Sequence, residues 1–286
     1  MRPISLDELP RFSPWPARLL GLESWKQRQK SREEVLREYE REKWGPLLER
    51  ARAAGSLLDL DTVTRWMCEG QQDHVCSEGD VLGLMSPEQS HRAYVDVVAG
   101  ALSQHADNAP LVELGAGWGN VLLAVLRRAP FIGRSAWAGE LTDSGIALIR
   151  LIAETEGIRV TTGRCDLSST KVVDFPVPAG AIVFTSMALP YLRHVESDLF
   201  GVIASWQPRA VVHIEPCYEH YSITTLLGML RRRYVEINDY NRNLVSALKS
   251  SERAGRIRLL EERPVVFGRN PLFPVSVLVW SPVSRG

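Results

Sequence analysis

Leu111-Val-Glu-Leu-Gly-Ala-Gly-Trp-Gly-Asn120 constrains this chain more than any other stretch. Leu111, Val112 and Leu114 read as the end of a buried strand. Gly115, Gly117 and Gly119 alternate through a turn, and Val121, Leu122, Leu123, Val125 and Leu126 restart the chain as a mostly apolar helix. Glycines at that spacing belong where the backbone must approach a ligand closely, because a side chain would block the approach or forbid the dihedrals. The unpaired N–H groups of the following helix suit a polar or anionic group.

From about residue 109 the pattern alternates. Strands are expected near 110–114, 134–140, 158–164, 180–186 and 209–215, with helices near 119–129, 143–156 and 193–205. That rhythm implies a parallel sheet with helices on both faces. A long, mostly helical stretch at 217–255 follows, then strands near 257–267 and 274–281. The last is apolar on both sides, as a central strand would be.

The first hundred residues read differently. Pro3, Pro10, Pro14 and Pro16 suggest irregular chain. Glu23 to Arg52 is charged, and Val35, Leu36, Tyr39 and Trp44 form one narrow apolar stripe, which Gly45-Pro46 interrupts. This helix could cover a site or form a homodimer contact. Helices are expected at 57–70 and 87–106, with a polar loop from Gln71 to Leu84. The domain division is therefore a helical extension at 1–106 and a ligand-binding domain at 107–286, with a helical insertion at 217–255.

Formal net charge over 286 residues is zero, which favours neither nucleic acid nor an anionic membrane. Cys68, Cys76, Cys165 and Cys217 form no CxxC pair, so neither a zinc site nor a disulfide scaffold is expected. With no signal-peptide core and no run of about 18–20 apolar residues, the expectation is a cytoplasmic chain that makes no membrane contact.

The turn is not a dinucleotide fingerprint. GxGxxG would need glycine at Asn120, and Trp118 would crowd a pyrophosphate. Glu113 followed by Gly115, Gly117 and Gly119 instead resembles the first motif of the class I S-adenosylmethionine-dependent methyltransferases. The resemblance extends over roughly residues 107–286. Glu140, before Leu141 and about 20 residues past the turn, stands where the family carries an acid that accepts from both ribose hydroxyls. Asp166, after Cys165, stands where the family often has an Asp that accepts from the adenine amino group, while a neighbouring N–H donates to the ring. An Asp before Leu167-Ser168-Ser169 would equally serve as a turn cap. The resemblance implies a Rossmann-like α/β fold with a seven-stranded, mostly parallel sheet. It also implies S-adenosyl-L-methionine as cofactor and S-adenosyl-L-homocysteine as product, with Ser186 at the cofactor.

Ligands of such sheets bind at the carboxyl ends of the strands. The fourth strand ends in Phe184-Thr-Ser-Met-Ala-Leu-Pro190, which lacks the Asn/Asp-Pro-Pro-Tyr/Phe signature of nucleic-acid-base and glutamine methyltransferases. The fifth ends in His213-Ile-Glu-Pro-Cys-Tyr-Glu-His-Tyr221. Glu215, Glu219 and His220 are the candidate proton acceptors there, and Met187, Tyr218, Tyr221 and Tyr240 the candidate acceptor contacts. Two carboxylates among aromatic rings suit a cationic nitrogen compound. Alternatively Glu215 caps a helix, His220 is a surface residue and His213 is packed in the core. The expectation is a methyltransferase for a small molecule, nitrogen favoured, using no metal. The rivals are an O-methyltransferase, a peptide or protein methyltransferase, and a silent nucleoside-binding regulator.

Overall fold

A computed structural model describes residues 1–25, 31–105, 107–169 and 171–283; residues 26–30 of the charged N-terminal stretch lie outside them. The N-terminal part contributes strand β1 (Arg2–Ile4) and helices α1 (Trp15–Leu19), α2 (Arg32–Arg37), α3 (Gly45–Ala54) and α4 (Leu60–Cys68). It also supplies hairpin β2 (His74–Glu78)–β3 (Val81–Met85) and helix α5 (Pro87–Ser103). Alternation then begins: β4 (Leu111–Leu114), α6 (Asn120–Leu126), β5 (Ala136–Glu140), α7 (Asp143–Thr155), β6 (Val160–Arg164), β7 (Ile182–Ser186), α8 (Ser197–Ser205) and β8 (Ala210–Pro216). Helices α9 (Leu226–Ile237) and α10 (Leu244–Arg253) and strands β9 (Ile257–Gly268) and β10 (Val275–Pro282) complete it.

Among the described residues one sheet of ten strands runs in the order β1-β3-β2-β9-β10-β8-β7-β4-β5-β6. Strands β6, β5, β4, β7 and β8 are parallel, and β10 enters antiparallel between β8 and β9. These seven are the expected set. The other three correct the picture of a purely helical extension, because β1, β3 and β2 lengthen the sheet beyond β9.

The stretch read as a polar loop at 71–84 is mostly that hairpin. Its signal was present in Gly79-Asp80, a two-residue turn between β-rich runs with Gly79 at φ 57°. Pro3 sits on the edge strand, where a missing N–H costs no ladder bond.

Side chains along each strand alternate between two cores. Leu111, Ile182, Phe184, Val212 and Val277 pack with Tyr94, Val98, Leu122 and Leu126 of α5 and α6. Val112, Leu114, Val183, Val211 and Trp280 pack on the other face with Phe200, Ile203, Leu244 and Leu248 of α8 and α10. Burial on both faces explains the continuous apolar runs in the sequence.

The N-terminal helix does not break at Gly45-Pro46. Residues Glu38–Trp44 form a π-helical segment whose wider turn accepts the proline at the start of α3, and Gly45 N–H still bonds within the segment, to Glu40 O. A Cβ on Gly45 would lie 2.7 Å from that Glu40 carbonyl, so the junction needs glycine. The wider turn brings Tyr39 and Trp44, five apart, onto one cavity wall. Trp118 points away from the strand ends into a layer built from Leu47, Leu48 and Val63 against Leu148 and Ile152, and so binds α3 and α4 to the glycine turn.

Candidate active site

The carboxyl ends of β4, β5, β6 and β7 open into a cavity of about 700 Å³, roofed by residues 31–44. Its floor is the glycine turn. Gly115, Gly117 and Gly119 have φ of 79°, 58° and 85°, in the left-handed region. A Cβ on Gly115 would stand 2.6 Å from Ala188 Cβ, so two strand ends meet there with no room for a side chain.

Glu140 is 6% exposed and reaches back to the turn. Its Oε2 accepts from Gly117 N–H at 2.9 Å, and its Oε1 accepts from Thr142 N–H at 3.0 Å and Thr142 Oγ1–H at 2.6 Å. Burial raises its pKa against the pull of those bonds. A carboxylate has about four acceptor positions. Three are used, and the remaining one, on Oε2, is available to a hydroxyl in the cavity whose wall Glu140 lines.

Asp166 lines the same wall but is engaged. Its Oδ2 accepts from Arg32 Nε–H and Nη2–H at 2.9 and 2.6 Å, and its Oδ1 accepts from Ser168 N–H and Oγ–H at 3.0 and 2.6 Å. Burial pushes its pKa up, but the Ser168 and Arg32 bonds outweigh that and hold it below the usual carboxylate range. The turn-capping role read from the sequence is therefore present, alongside an ion pair with the roof. Leu141 and Cys165 also line the cavity. Gly119 serves as the N-cap of α6. Ser186, outside the wall, is tied to Tyr94 Oη at 2.8 Å and anchors α5.

The residues expected to carry catalysis are mostly elsewhere. Glu219 accepts from Val245 N–H at 2.7 Å and Ser246 N–H at 2.8 Å, which caps the start of α10. His220 bridges Ser276 Oγ at 2.8 Å and Glu262 Oε1 at 2.9 Å, in a half-buried network that also holds Lys249. Neither lines the cavity. These two expectations are corrected: the chain leaves β8 and turns away from the strand ends, and both side chains staple α10 and β9 to that turn.

The same turn removes two substrate-contact candidates. Tyr218 donates to Glu236 at 2.8 Å and Tyr221 donates to Pro274 O at 2.7 Å. Tyr240 stacks on Phe273 and meets Tyr191 edge-on, one ring behind the wall. Met187 does line the cavity, at φ 57°. Glu219→Ala is expected to cost about 0.5–2 kcal/mol of stability, as loss of a helix cap does. Urea denaturation should show that loss with cofactor affinity unchanged.

Glu215 is fully buried beneath the floor. Its Oε1 accepts from Ala188 N–H at 3.0 Å, while Oε2 has no partner among the described residues. Burial pushes its pKa up to about 7. Glu113, also fully buried, has an Oε2 with no partner among the described residues; burial raises its pKa well above the carboxylate range, and the charges of Glu140 and Glu215 raise it further. Glu215 thus pins the corner after β7 to β8 and is not among the residues that line the cavity. His213 lies inside β8 between Thr185 and Trp280, a core histidine.

Sequence reasoning offered the N-terminal helix as a cover for a site or a homodimer contact, and assigned none of its residues to the site. Ser31, Arg32, Val35, Tyr39 and Trp44 all line the cavity. Tyr39 donates to Tyr191 Oη at 2.9 Å, and Glu40 accepts from Ser144 N–H at 3.1 Å, at the N-terminus of α7. The apolar stripe was visible in the sequence; its occupant was not.

No family model matches the chain, and no curated protein matches it in sequence. Solved structures do. The [4+2]-cyclase SpnF aligns over 92% of this chain and 100% of its own, at 15% identity and a TM-score of 0.55. This chain therefore shares the α/β fold of SpnF, a mostly parallel sheet flanked by helices. The pyocyanin biosynthetic protein PhzM aligns over 69% of this chain and 56% of its own, at 16% identity and a TM-score of 0.49. An O-methyltransferase family protein from Burkholderia thailandensis aligns over 68% and 57%, at 19% identity and a TM-score of 0.49. The chain spans little more than half the length of these last two. Among the described residues no helix is long and apolar enough to cross a membrane.

Proposed function

We propose that the cavity binds S-adenosylmethionine and that the chain is a methyltransferase for a small molecule. The observation that carries this is Glu140, bonded to the glycine turn through Gly117 N–H with one acceptor position left over the cavity floor. The donor set fits the cofactor. Glu140 would hold a ribose hydroxyl at its free position, and a second hydroxyl would exchange with Thr142 Oγ1. Cys165, Asp166 and Leu167 are the residues that would hold the adenine, and Arg32 shares the Asp166 carboxylate. Glu140, the carboxylate beside the glycine turn on the cavity wall, suits a ligand of net positive charge.

The cofactor supplies a methyl group on a sulfonium. The chain contributes positioning and exclusion of water beneath the roof. The acceptor enters between the roof and the corner after β7, where Tyr39, Met187 and Tyr191 stand. The carboxylates that do line the wall are Glu196 and Asp198. They, rather than Glu219, support a cationic nitrogen compound as acceptor.

Calorimetry with S-adenosylmethionine should show micromolar binding. Absence of binding up to millimolar concentration would sink the proposal. Glu140→Ala should weaken binding by about 1.5–3 kcal/mol, as expected for hydrogen bonds to a charged group.

A further inference from the structure

Asp166 lines the cavity beside Cys165 and Leu167, and its acceptor positions are full. A carboxylate accepts about four hydrogen bonds. On Oδ1 they come from Ser168 N–H and Oγ–H at 3.0 and 2.6 Å, and on Oδ2 from Arg32 Nε–H and Nη2–H at 2.9 and 2.6 Å. An amino group of a ligand reaches this carboxylate only by displacing one of those donors.

The two sets of donors are not equally held. Ser168 belongs to the same turn as Asp166. Ser169 N–H closes that turn on Asp166 O at 3.0 Å, and Asp166 N–H fastens it to Val172 O at 2.8 Å. Giving up the Ser168 bonds would take a backbone N–H from its partner. Arg32 comes from another element. Its side chain is 51% exposed, against 17% for Asp166, so its charge passes into water at little cost. It stands at the start of α2, which buries none of its residues and is capped by its own Ser31 and Glu34. Arg32 is therefore the donor that yields.

Resting on the cofactor reading above, we propose that Arg32 is a latch in competition with the cofactor. The exocyclic amino group of adenine and the Arg32 guanidinium claim the same oxygen of Asp166, and binding of the base releases α2 from the strand ends. The closed form inhibits itself, because part of the free energy of cofactor binding is consumed in opening it. A purine that lacks the amino group brings no donor for Asp166 and leaves the latch shut.

The test compares S-adenosylhomocysteine with its analogue carrying hydrogen in place of the 6-amino group. Calorimetry is run on the parent protein and on Arg32→Ala, a substitution at a half-exposed side chain. Arg32→Ala is expected to tighten S-adenosylhomocysteine about three- to fivefold and the analogue less than twofold, the size expected for releasing a half-exposed ion pair. Weaker or unchanged affinity for S-adenosylhomocysteine, or equal tightening of both ligands, overturns the proposal. If neither ligand binds the parent at millimolar concentration, the cofactor reading itself has failed and this inference falls with it.

The parent protein alone gives a second measurement. Amide hydrogen exchange across α2 should speed up when S-adenosylhomocysteine binds and stay as it was with the analogue. Slower or unchanged exchange with S-adenosylhomocysteine would mean that the cofactor leaves α2 in place, and overturns the proposal.

Discussion

Gly115→Ala is expected to lower stability by about 2–4 kcal/mol and to weaken cofactor binding at least tenfold. Two independent costs combine. Gly115 has φ 79°, where an L-residue with a Cβ is strained by about 1–2 kcal/mol. The added Cβ would also stand 2.6 Å from Ala188 Cβ, and overpacking of a rigid contact costs about 1–3 kcal/mol. Ala188 has little freedom to retreat, because Glu215 holds its N–H at 3.0 Å and Met187 before it is already at φ 57°. The strain therefore moves the turn, and with it Gly117 and its bond to Glu140. Thermal unfolding should fall by about 5–15 °C. An unchanged midpoint would show that the corner after β7 is free to move.

Glu215→Gln is expected to raise stability at pH 8 and flatten its pH dependence. The folded-state pKa of about 7 lies above the ordinary value of 4.5 because of burial. Stability from this group is therefore fully present below pH 4.5 and is lost as pH rises through 7. The difference corresponds to at most about 3 kcal/mol at pH 8. Glutamine cannot ionise, and its amide oxygen still accepts from Ala188 N–H.

Glu113 is shifted in the same direction. His213 and His91 act oppositely. Burial lowers them to about 3 and about 4, so they favour unfolding as pH falls below 6.5. Between about pH 4.5 and 6.5 the loss from Glu215 therefore runs against the gain from the two histidines. Chemical denaturation across pH 4–9 checks this. The same change of stability between pH 4.5 and 7 in Glu215→Gln as in the parent would show that Glu215 does not hold a proton in the folded state. If cofactor affinity in that variant drops while stability rises, the Ala188 corner is what Glu215 controls.

Much of the site was legible without coordinates because its logic is local. Alternating glycines need positive φ, and an acid about 20 residues downstream returns to the same turn through one strand–helix–strand unit. The strand ends gave Met187 for the same reason. The hairpin at Gly79-Asp80 was equally local and was missed because polar residues around it masked two short β-rich runs. Glu219 and His220 were misread for a different reason. A carboxylate just past a strand end reads the same whether it faces a ligand or caps a helix, and Val245, 26 residues on, decides which.

By itself, then, the chain determined the floor of the cavity: a turn that only glycine can make, a carboxylate within reach of it, and a sheet whose apolar runs demand cover on both faces. The tertiary structure decided who closes that site. Arg32 and Asp166 are 134 positions apart and Tyr39 and Tyr191 are 152 apart. No periodicity or spacing links such pairs. Only the packing of the N-terminal helix over the strand ends brings them together.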